Sequence, residues 1–226
     1  GGSDAQEAIM EAAYRALCAR GYADLTMQDI ADESDRSKAS LHYHYDTKEE
    51  LLLSFLDHLY ASFTDEFAET SGTDAVDRLV TFVDEILCQD GEDAEAFQTA
   101  LLEIKAQAPY VDAYREELER VDAFVRDRVR EMVAEGIDEG TVRAGVDPDA
   151  TAAFVATLIV GVNTRRVSIG GTDGTTRDAF IAYVRENLVA PDADVVIDGD
   201  ESGDDTDADV SDETDADETT GQEGGA

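Results

Sequence analysis

The cationic and hydrogen-bonding side chains of this chain are concentrated in one short stretch, residues 36–45. No Asp or Glu occurs in it, although the whole chain has 54 acidic residues against 17 Lys and Arg. The stretch contains Arg36, Lys38, His42 and His44. Because a phosphate backbone attracts cations and repels carboxylates, such side chains in an acid-free stretch have the chemistry of a DNA-binding surface.

Two short helices joined by a turn are predicted to position these side chains, over residues 26–45. Thr26 and Ser37 are each placed to cap a helix, because their hydroxyl oxygens can accept hydrogen bonds from the free N–H groups of a first turn. Asp35 and Arg36 form the predicted turn between the two helices. This arrangement is a helix-turn-helix, whose second helix is shaped to enter a DNA major groove.

The second helix of this motif has one face turned to the protein and one turned outward. Leu41 and Tyr45 lie four residues apart, so both side chains point into the protein. The opposite face carries the candidates for contacts with base edges, which are Ala39, Ser40, His42 and Tyr43. Ala39 could contact a thymine methyl group, whereas Ser40 and His42 could donate or accept hydrogen bonds.

Other side chains of the motif are candidates for phosphate contacts. Lys38 and His44 lie at the edges of the outward face, and Thr26 and Lys48 lie at the N-terminal, positive ends of helices. A Thr-x-x-Glu capping box at residues 47–50 starts the helix that contains Lys48. In full, the predicted DNA-binding residues are Thr26, Arg36, Ser37, Lys38, Ala39, Ser40, His42, Tyr43, His44 and Lys48.

This motif resembles the DNA-binding domain of the TetR/AcrR family of transcriptional regulators. The family pattern is matched by Thr26, Ile30-Ala31, Ser37-Lys38-Ala39-Ser40-Leu41-His42-Tyr43-His44-Tyr45 and Lys48-Glu49-Glu50-Leu51. Four residues depart from the family pattern. Asp35 replaces a turn glycine, and Arg36 replaces an apolar residue. His42 replaces a tyrosine that touches phosphate, and Tyr45 replaces a phenylalanine. The match covers the first quarter of the chain, and the remainder matches only in length and layout.

The resemblance implies a sequence-specific, DNA-binding transcriptional regulator: a ligand-responsive repressor that binds a palindromic operator as a homodimer. In the family the last two helices dimerise, an effector cavity opens among helices four to seven, and ligand binding shifts the two DNA-reading heads apart. Those helices carry many aromatic residues, among them Tyr60, Phe63, Phe67, Phe82, Phe97, Tyr110 and Tyr114. The alternative is a regulator that acts mainly through a protein partner, with a weak or vestigial DNA-reading head.

Apolar residues recur at helical spacing along the rest of the chain, and no convincing strand is found. The predicted class is all-α, with three parts. They are a helix-turn-helix DNA-binding domain at 1–50, a helical effector-binding and dimerisation domain at 51–190, and an acidic tail at 191–226. The tail is predicted to be disordered, because its few apolar residues cannot offset the entropy of ordering the chain.

The eighth predicted helix differs from the others. It begins at Asp147-Pro148, a cap followed by proline at the first helical position, and it contains no acid from Ala150 to Ile169. An apolar surface nearly all round indicates burial on more than one side. We therefore expect helices eight and nine of two subunits to form a four-helix interface, with Ile159 and Val162 inside it. The alternative is a central helix in the core of a monomer.

The net charge of −37 is extreme. Residues 192–226 hold 15 of the 54 acids and no base, so the rest of the chain still has 39 acids against 17 bases and a net charge of −22. Molar salt tolerates such a surface, because it shrinks the screening length to about 3 Å. We interpret the chain as a cytoplasmic protein of a halophile, a halophilic archaeon; the alternative is an acidic mesophilic protein with a disordered tail.

The sequence disfavours an enzyme, a metal site and a membrane protein. No Ser, Cys or carboxylate pair has the spacing of an active site, so neither catalysis nor a cofactor is expected. His42 and His44 diverge by about 200° around a helix and cannot share a metal ion. The longest near-continuous apolar run, residues 152–162, is shorter than the roughly 20 residues of a membrane helix. The polar, acidic N-terminal stretch has no signal-peptide pattern.

Overall fold

Nine α-helices and one π-helical segment make up the described part of the chain, and the predicted all-α class is confirmed. The computed structural model describes residues 3–34, 37–87, 94–170, 174–195 and 197. The helices are α1 (Ser3–Asp24), α2 (Met27–Asp32), α3 (Lys38–His44), α4 (Lys48–Glu66), α5 (Ala75–Leu87), α6 (Ala94–Gln107), α7 (Asp112–Glu139), α8 (Pro148–Ile169), α9 (Thr175–Tyr183) and the π-helical segment (Val184–Leu188). Within those ranges β-structure is limited to one isolated antiparallel bridge, between Val142 and Val189.

Side-chain caps define the starts of α2 and α3. The hydroxyl of Thr26 accepts from the N–H of Asp29 at 3.2 Å, and the carboxylate of Asp29 accepts from the N–H of Thr26 at 2.9 Å. The hydroxyl of Ser37 accepts from the N–H of Ser40 at 3.2 Å. Both predicted caps are therefore confirmed. The predicted turn at residues 35–36 lies outside the described residues.

The predicted capping box at the start of α4 is only half present. The hydroxyl of Thr47 accepts from the N–H of Glu50 at 3.1 Å, as such a box requires. The carboxylate of Glu50 reaches one residue further back and accepts from the N–H of Asp46 at 2.8 Å. Helix α4 thus begins where the sequence predicts. The bond from the Glu50 carboxylate, however, is made to Asp46 and not to the cap residue Thr47.

Two apolar clusters hold the helices together. The first cluster contains side chains from the four helices α1, α2, α3 and α4, among them Leu41 and Phe55. It also contains Ile104 of α6 and Tyr114 of α7. The second joins α5, α7, α8, α9 and the π-helical segment. The DNA-binding end predicted from the sequence therefore shares its core with later helices, and its division from them at residue 50 stays a prediction.

Helix α8 packs one face against its own chain. Its start is as predicted, because the carboxylate of Asp147 accepts from two N–H groups of the first turn, at 3.0 and 3.2 Å. Ile159 and Val162 are each only 6% exposed and belong to the second cluster. The prediction that these two side chains lie between subunits is wrong. They fill the core of one chain because α8 packs on α5, α6 and α7.

Helix α8 also meets the length and composition criteria for crossing a membrane. It has 22 residues, and its most apolar window has a mean hydropathy of 1.3. A core helix of a soluble protein meets the same criteria. Because the face carrying Val155 and Ile159 is part of the second cluster, α8 serves as a core helix of this fold.

The chain after the π-helical segment is docked further than the sequence predicts. The N–H of Arg143 donates to the carbonyl of Leu188 at 2.9 Å, and the N–H of Ala190 donates to the carbonyl of Thr141 at 2.9 Å. Ile197 is only 5% exposed within the second cluster, and Val195 packs against that cluster. The prediction of disorder from residue 191 is therefore wrong for Val195 and Ile197, whose apolar side chains pack with the second cluster. Residues 198–226 lie outside the described residues.

Candidate nucleic-acid interface and cavity

Helix α3 has the two faces that its sequence predicts. Leu41 is fully buried, and Tyr45 is buried with its hydroxyl 3.2 Å from the hydroxyl oxygen of Ser54. On the other side, Tyr43 is 85% exposed, the largest exposed fraction of any large apolar side chain that the structure describes. Ala39, His42 and His44 are also exposed, and Ser40 is half-buried. The predicted base-contacting side chains therefore share one accessible surface.

Lys38 provides a cation at the edge of this surface. Its side chain is exposed, and no carboxylate of the described residues pairs with it. In contrast, Arg15 lies 3.6 Å from the carboxylate of Glu33, and Arg20 lies 3.5 Å from that of Asp29. Lys38 thus keeps its charge available for a phosphate. Arg36, the other predicted cation, lies outside the described residues.

The N-terminus of α2 is already occupied by a carboxylate of its own chain. Asp29 accepts from both the N–H and the hydroxyl of Thr26, at 2.9 and 2.5 Å. The hydrogen bonds from Thr26, with a smaller contribution from Arg20, hold the pKa of Asp29 below its usual value. A phosphate at Thr26 would have to compete with this carboxylate, so the predicted Thr26 contact stays a prediction.

Lys48 has a structural role besides the phosphate contact predicted for it. Its ammonium donates to the carbonyl of Tyr22 at 3.1 Å and lies 4.7 Å from the centre of the Tyr22 ring. The N–H of Tyr22 donates to the carboxylate of Glu103 at 2.6 Å, and its ring meets that of Tyr114 edge-on. Tyr22 therefore links α1 to α4, α6 and α7. The only sequence signal for this junction was Gly21, whose φ of 72° turns the chain there.

A cavity of about 530 Å³ opens among α4, α6, α7 and α8. Its volume lies within the range of roughly 300–1,000 Å³ found for small-molecule sites. Of the seven aromatic residues considered from the sequence, Tyr60, Phe63 and Phe97 line it. Phe67, Phe82 and Tyr114 are buried in the two clusters, and Tyr110 is 84% exposed. Periodicity could not make this distinction for the residues within the helices, whereas Tyr110 lies in the turn between α6 and α7.

A few polar side chains interrupt the apolar lining, and Lys105 of α6 is the cation among them. Glu117 is tied to α4, because Arg120 donates to Glu117 at 2.6 Å and to Asp57 at 2.9 Å. The guanidinium of Arg120 also lies 4.1 Å from the centre of the Tyr60 ring. The sequence signalled Lys105 only by rarity, as one of three lysines in the chain. Within the described ranges, no three His, Cys, Asp or Glu side chains converge as metal ligands would.

Models of protein families match the two ends of this architecture. Residues 9–55 match the model described as bacterial regulatory proteins, tetR family. Residues 75–191 match the model described as BetI-type transcriptional repressor, C-terminal. The chain belongs to the TetR family. It is a DNA-binding transcription regulator, and regulators of this family bind DNA operators as dimers and respond to small-molecule effectors.

Individual transcriptional regulators resemble the chain along most of its length. A TetR transcription regulator from Haloarcula marismortui ATCC 43049 has a solved structure with 40% identity and a TM-score of 0.77, covering 82% of this chain and 99% of that one. The HTH-type transcriptional repressor KstR2 of Rhodococcus jostii (strain RHA1) is 25% identical over 199 residues, 84% of this chain and 94% of that repressor. A regulator from Saccharomonospora viridis, solved in complex with choline, shares the fold at 24% identity and a TM-score of 0.69, covering 83% of this chain and 98% of that one.

Replacing Tyr43 with Ala is expected to reduce discrimination between operator and random DNA by about 1–3 kcal/mol, as for the loss of a base contact. The fold should not change, because the side chain is exposed. Lys38→Ala is expected to weaken binding to both DNAs alike and to lower the salt slope by about 1. Lys48 is a poorer probe, since its loss also removes the contact with Tyr22.

Fluorescence anisotropy titrations of both variants, with each DNA at several salt concentrations, measure these effects. Equal losses for Tyr43→Ala on operator and random DNA would contradict a base contact by Tyr43. A loss confined to the operator for Lys38→Ala would contradict a phosphate contact by Lys38.

Proposed function

We propose that this protein is a ligand-responsive transcriptional repressor that binds a palindromic operator as a homodimer. The observation that carries the proposal is the presence, in one chain, of an exposed recognition helix and an apolar cavity of about 530 Å³. The resemblance to the repressor KstR2 supports the sign of regulation. A two-fold dimer presents two copies of α3 to successive major-groove faces, which requires an operator with two inverted half-sites.

The proposed dimer interface is the outer face of α8, together with α9. Of the five large apolar side chains that are exposed in the described residues, Phe154 and Ile169 lie on this outer face of α8, whereas Val160, on the same helix, lines the cavity. Phe154 is 45% exposed, and its ring packs on that of Tyr183, with 4.7 Å between the two ring centres. An exposed apolar face without acid, on a chain this acidic, fits a face that a second subunit covers.

The proposed link between cavity and DNA-binding surface is α6. This helix carries Lys105, which lines the cavity, and Glu103, which accepts from the N–H of Tyr22 at 2.6 Å. A shift of α6 on ligand binding would therefore move Tyr22 and, through its contact with Lys48, the start of α4. Operator affinity would then depend on occupancy of the cavity.

The proposed setting is the cytoplasm of a halophilic archaeon. The net charge of −37 and the use of 3 lysines against 14 arginines are suited to molar salt. The resemblance to the regulator from Haloarcula marismortui supports this setting. DNA binding in such a cytoplasm has to tolerate strong screening, so base contacts would carry a larger share of the affinity than at low salt.

Selection of random duplexes by the purified protein tests the function. The selected sequences are expected to contain an inverted repeat with half-sites about one helical turn apart. Genome-wide binding of the tagged protein should find the same repeat at promoters. Deletion of the gene for this protein should raise transcription of the genes next to those promoters. Selection of no sequence at any salt concentration would contradict the proposal and favour a regulator that acts through a protein partner.

A further inference from the structure

Lys105 is an unpaired cation in the wall of the cavity. It is half-buried, and no carboxylate or hydrogen-bond acceptor of the described residues contacts its ammonium. Arginines elsewhere pair readily, as Arg78 does with Glu135 at 2.9 Å and Arg177 with Asp84 at 2.6 Å. An unpaired ammonium is therefore unexpected in a chain with 54 acidic residues.

The half-buried ammonium of Lys105 destabilises the ligand-free fold. Burial lowers the pKa of the Lys105 ammonium, because an apolar surrounding disfavours the charged form. The folded pKa is below that of the unfolded chain, so the charge destabilises the fold at neutral pH and the penalty is relieved as the pH rises through the folded pKa. A ligand that supplies a counter-charge would remove this penalty, which gives binding a favourable contribution at Lys105.

The acidic residues of the cavity do not fill that role. Glu117 is bonded to Arg120 at 2.6 Å. Asp122 is exposed and lies 3.8 Å from Arg126, and Glu66 is exposed to solvent. The half-buried part of the site thus offers one positive charge and a mostly apolar surface.

We infer that the effector is an amphiphilic molecule with a single anionic head group, whose head pairs with Lys105 and whose apolar body lies against Phe63 and Phe97. This inference rests on the proposed ligand-responsive function and names the chemical class of the ligand. A neutral ligand would leave the ammonium unpaired. A cationic ligand such as choline, found with the regulator from Saccharomonospora viridis, would bring a second positive charge near Lys105.

Three probes with the same alkyl chain test the inference: decanoate, decanol and decyltrimethylammonium. Isothermal titration calorimetry in molar KCl, below the micellar concentration, is expected to give decanoate at least about tenfold higher affinity than decanol, as for a charge-assisted hydrogen bond in a partly desolvated site. Lys105→Met should remove this difference by weakening decanoate while leaving decanol unchanged. Arg115→Met is the matched control, since Arg115 is exposed on α7 and its loss changes the net charge equally.

Two further measurements separate loss of the charge from loss of the fold. Ligand-free Lys105→Met should melt at the same or a higher temperature than the wild type, because it lacks the buried charge. Lys105→Glu should reverse the preference and bind decyltrimethylammonium more tightly than decanoate. In a gel-shift assay, decanoate should release the wild type from its operator at concentrations that leave Lys105→Met bound.

The outcomes distinguish this inference from the proposed function. Similar affinities for all three probes, tightest binding of decyltrimethylammonium, absence of binding, or a Lys105→Met variant that binds decanoate like the wild type would each overturn the inference. None of these results concerns operator binding without a probe, which tests the repressor itself. A protein that selects an inverted repeat but ignores decanoate would remain a repressor with a different class of ligand.

Discussion

Replacing Phe154 with Asp is expected to convert the homodimer into a folded monomer that no longer holds its operator. The side chain lies on the outer face of α8 and is 45% exposed in the single chain. In the proposed interface a carboxylate there would be unpaired and desolvated between two subunits, at a cost of several kcal/mol. Because each 1.4 kcal/mol is about a factor of ten, dimer affinity should fall at least about a hundredfold.

Val155→Asp is the matched control, since it places the same charge one residue further along α8. Val155 is fully buried in the second cluster of its own chain. This variant should lose helicity or melt far below the wild type, whereas Phe154→Asp should keep its circular dichroism spectrum. Ile159→Asp and Val162→Asp belong with Val155→Asp, because both side chains face the same core.

The wild type, Phe154→Asp and Val155→Asp are compared by three methods. Light scattering after size exclusion measures the oligomeric state, circular dichroism the folding, and gel shifts the operator binding. A Phe154→Asp protein that remains dimeric would place the interface elsewhere on the surface. A Phe154→Asp protein that unfolds would show that α8 has no free outer face.

Truncation before residue 192 is expected to destabilise the fold, whereas truncation after residue 197 is not. The first removes Val195 and Ile197, and Ile197 is 5% exposed in the second cluster. Full burial of one such side chain contributes about 1.5–3 kcal/mol, and Ile197→Ala in the full chain should lower the stability by about 2–5 kcal/mol. Thermal melts in molar KCl compare the two truncations and the point variant. Equal melting temperatures for all of them would mean that Ile197 contributes nothing to the fold.

The shorter truncation also tests what the acidic residues beyond 197 do. Residues 198–226 carry 13 acids and no base. At about 0.1 M salt their charges act over about 10 Å, so their removal should strengthen binding to random DNA, and the difference should vanish near 1 M. A salt titration of both proteins on random duplex measures the effect. Identical affinities at every salt concentration would show that these charges do not oppose DNA binding.

The sequence by itself determined the features that depend on neighbours a few residues apart. The caps at Thr26 and Ser37 form because a hydroxyl reaches an N–H three residues ahead. The inward Leu41 and outward Tyr43 follow from helical geometry alone. The acid-free stretch at residues 36–45 is a matter of composition, so the exposed and buried sides of α3 could be predicted from the sequence, while the DNA contacts themselves stay a prediction.

Only the tertiary structure decided which surfaces meet across long stretches of chain. Helical spacing does not distinguish an apolar side chain in the core from one exposed on the surface, so the sequence could not separate the buried Ile159 from the exposed Phe154. Ile197 is buried in a cluster that α5, α7, α8, α9 and the π-helical segment form together, and local spacing does not reveal such a surface. Among the described residues Lys105 has no partner because of what the neighbouring helices place around it, and neither its own helix nor its rarity reveals that arrangement.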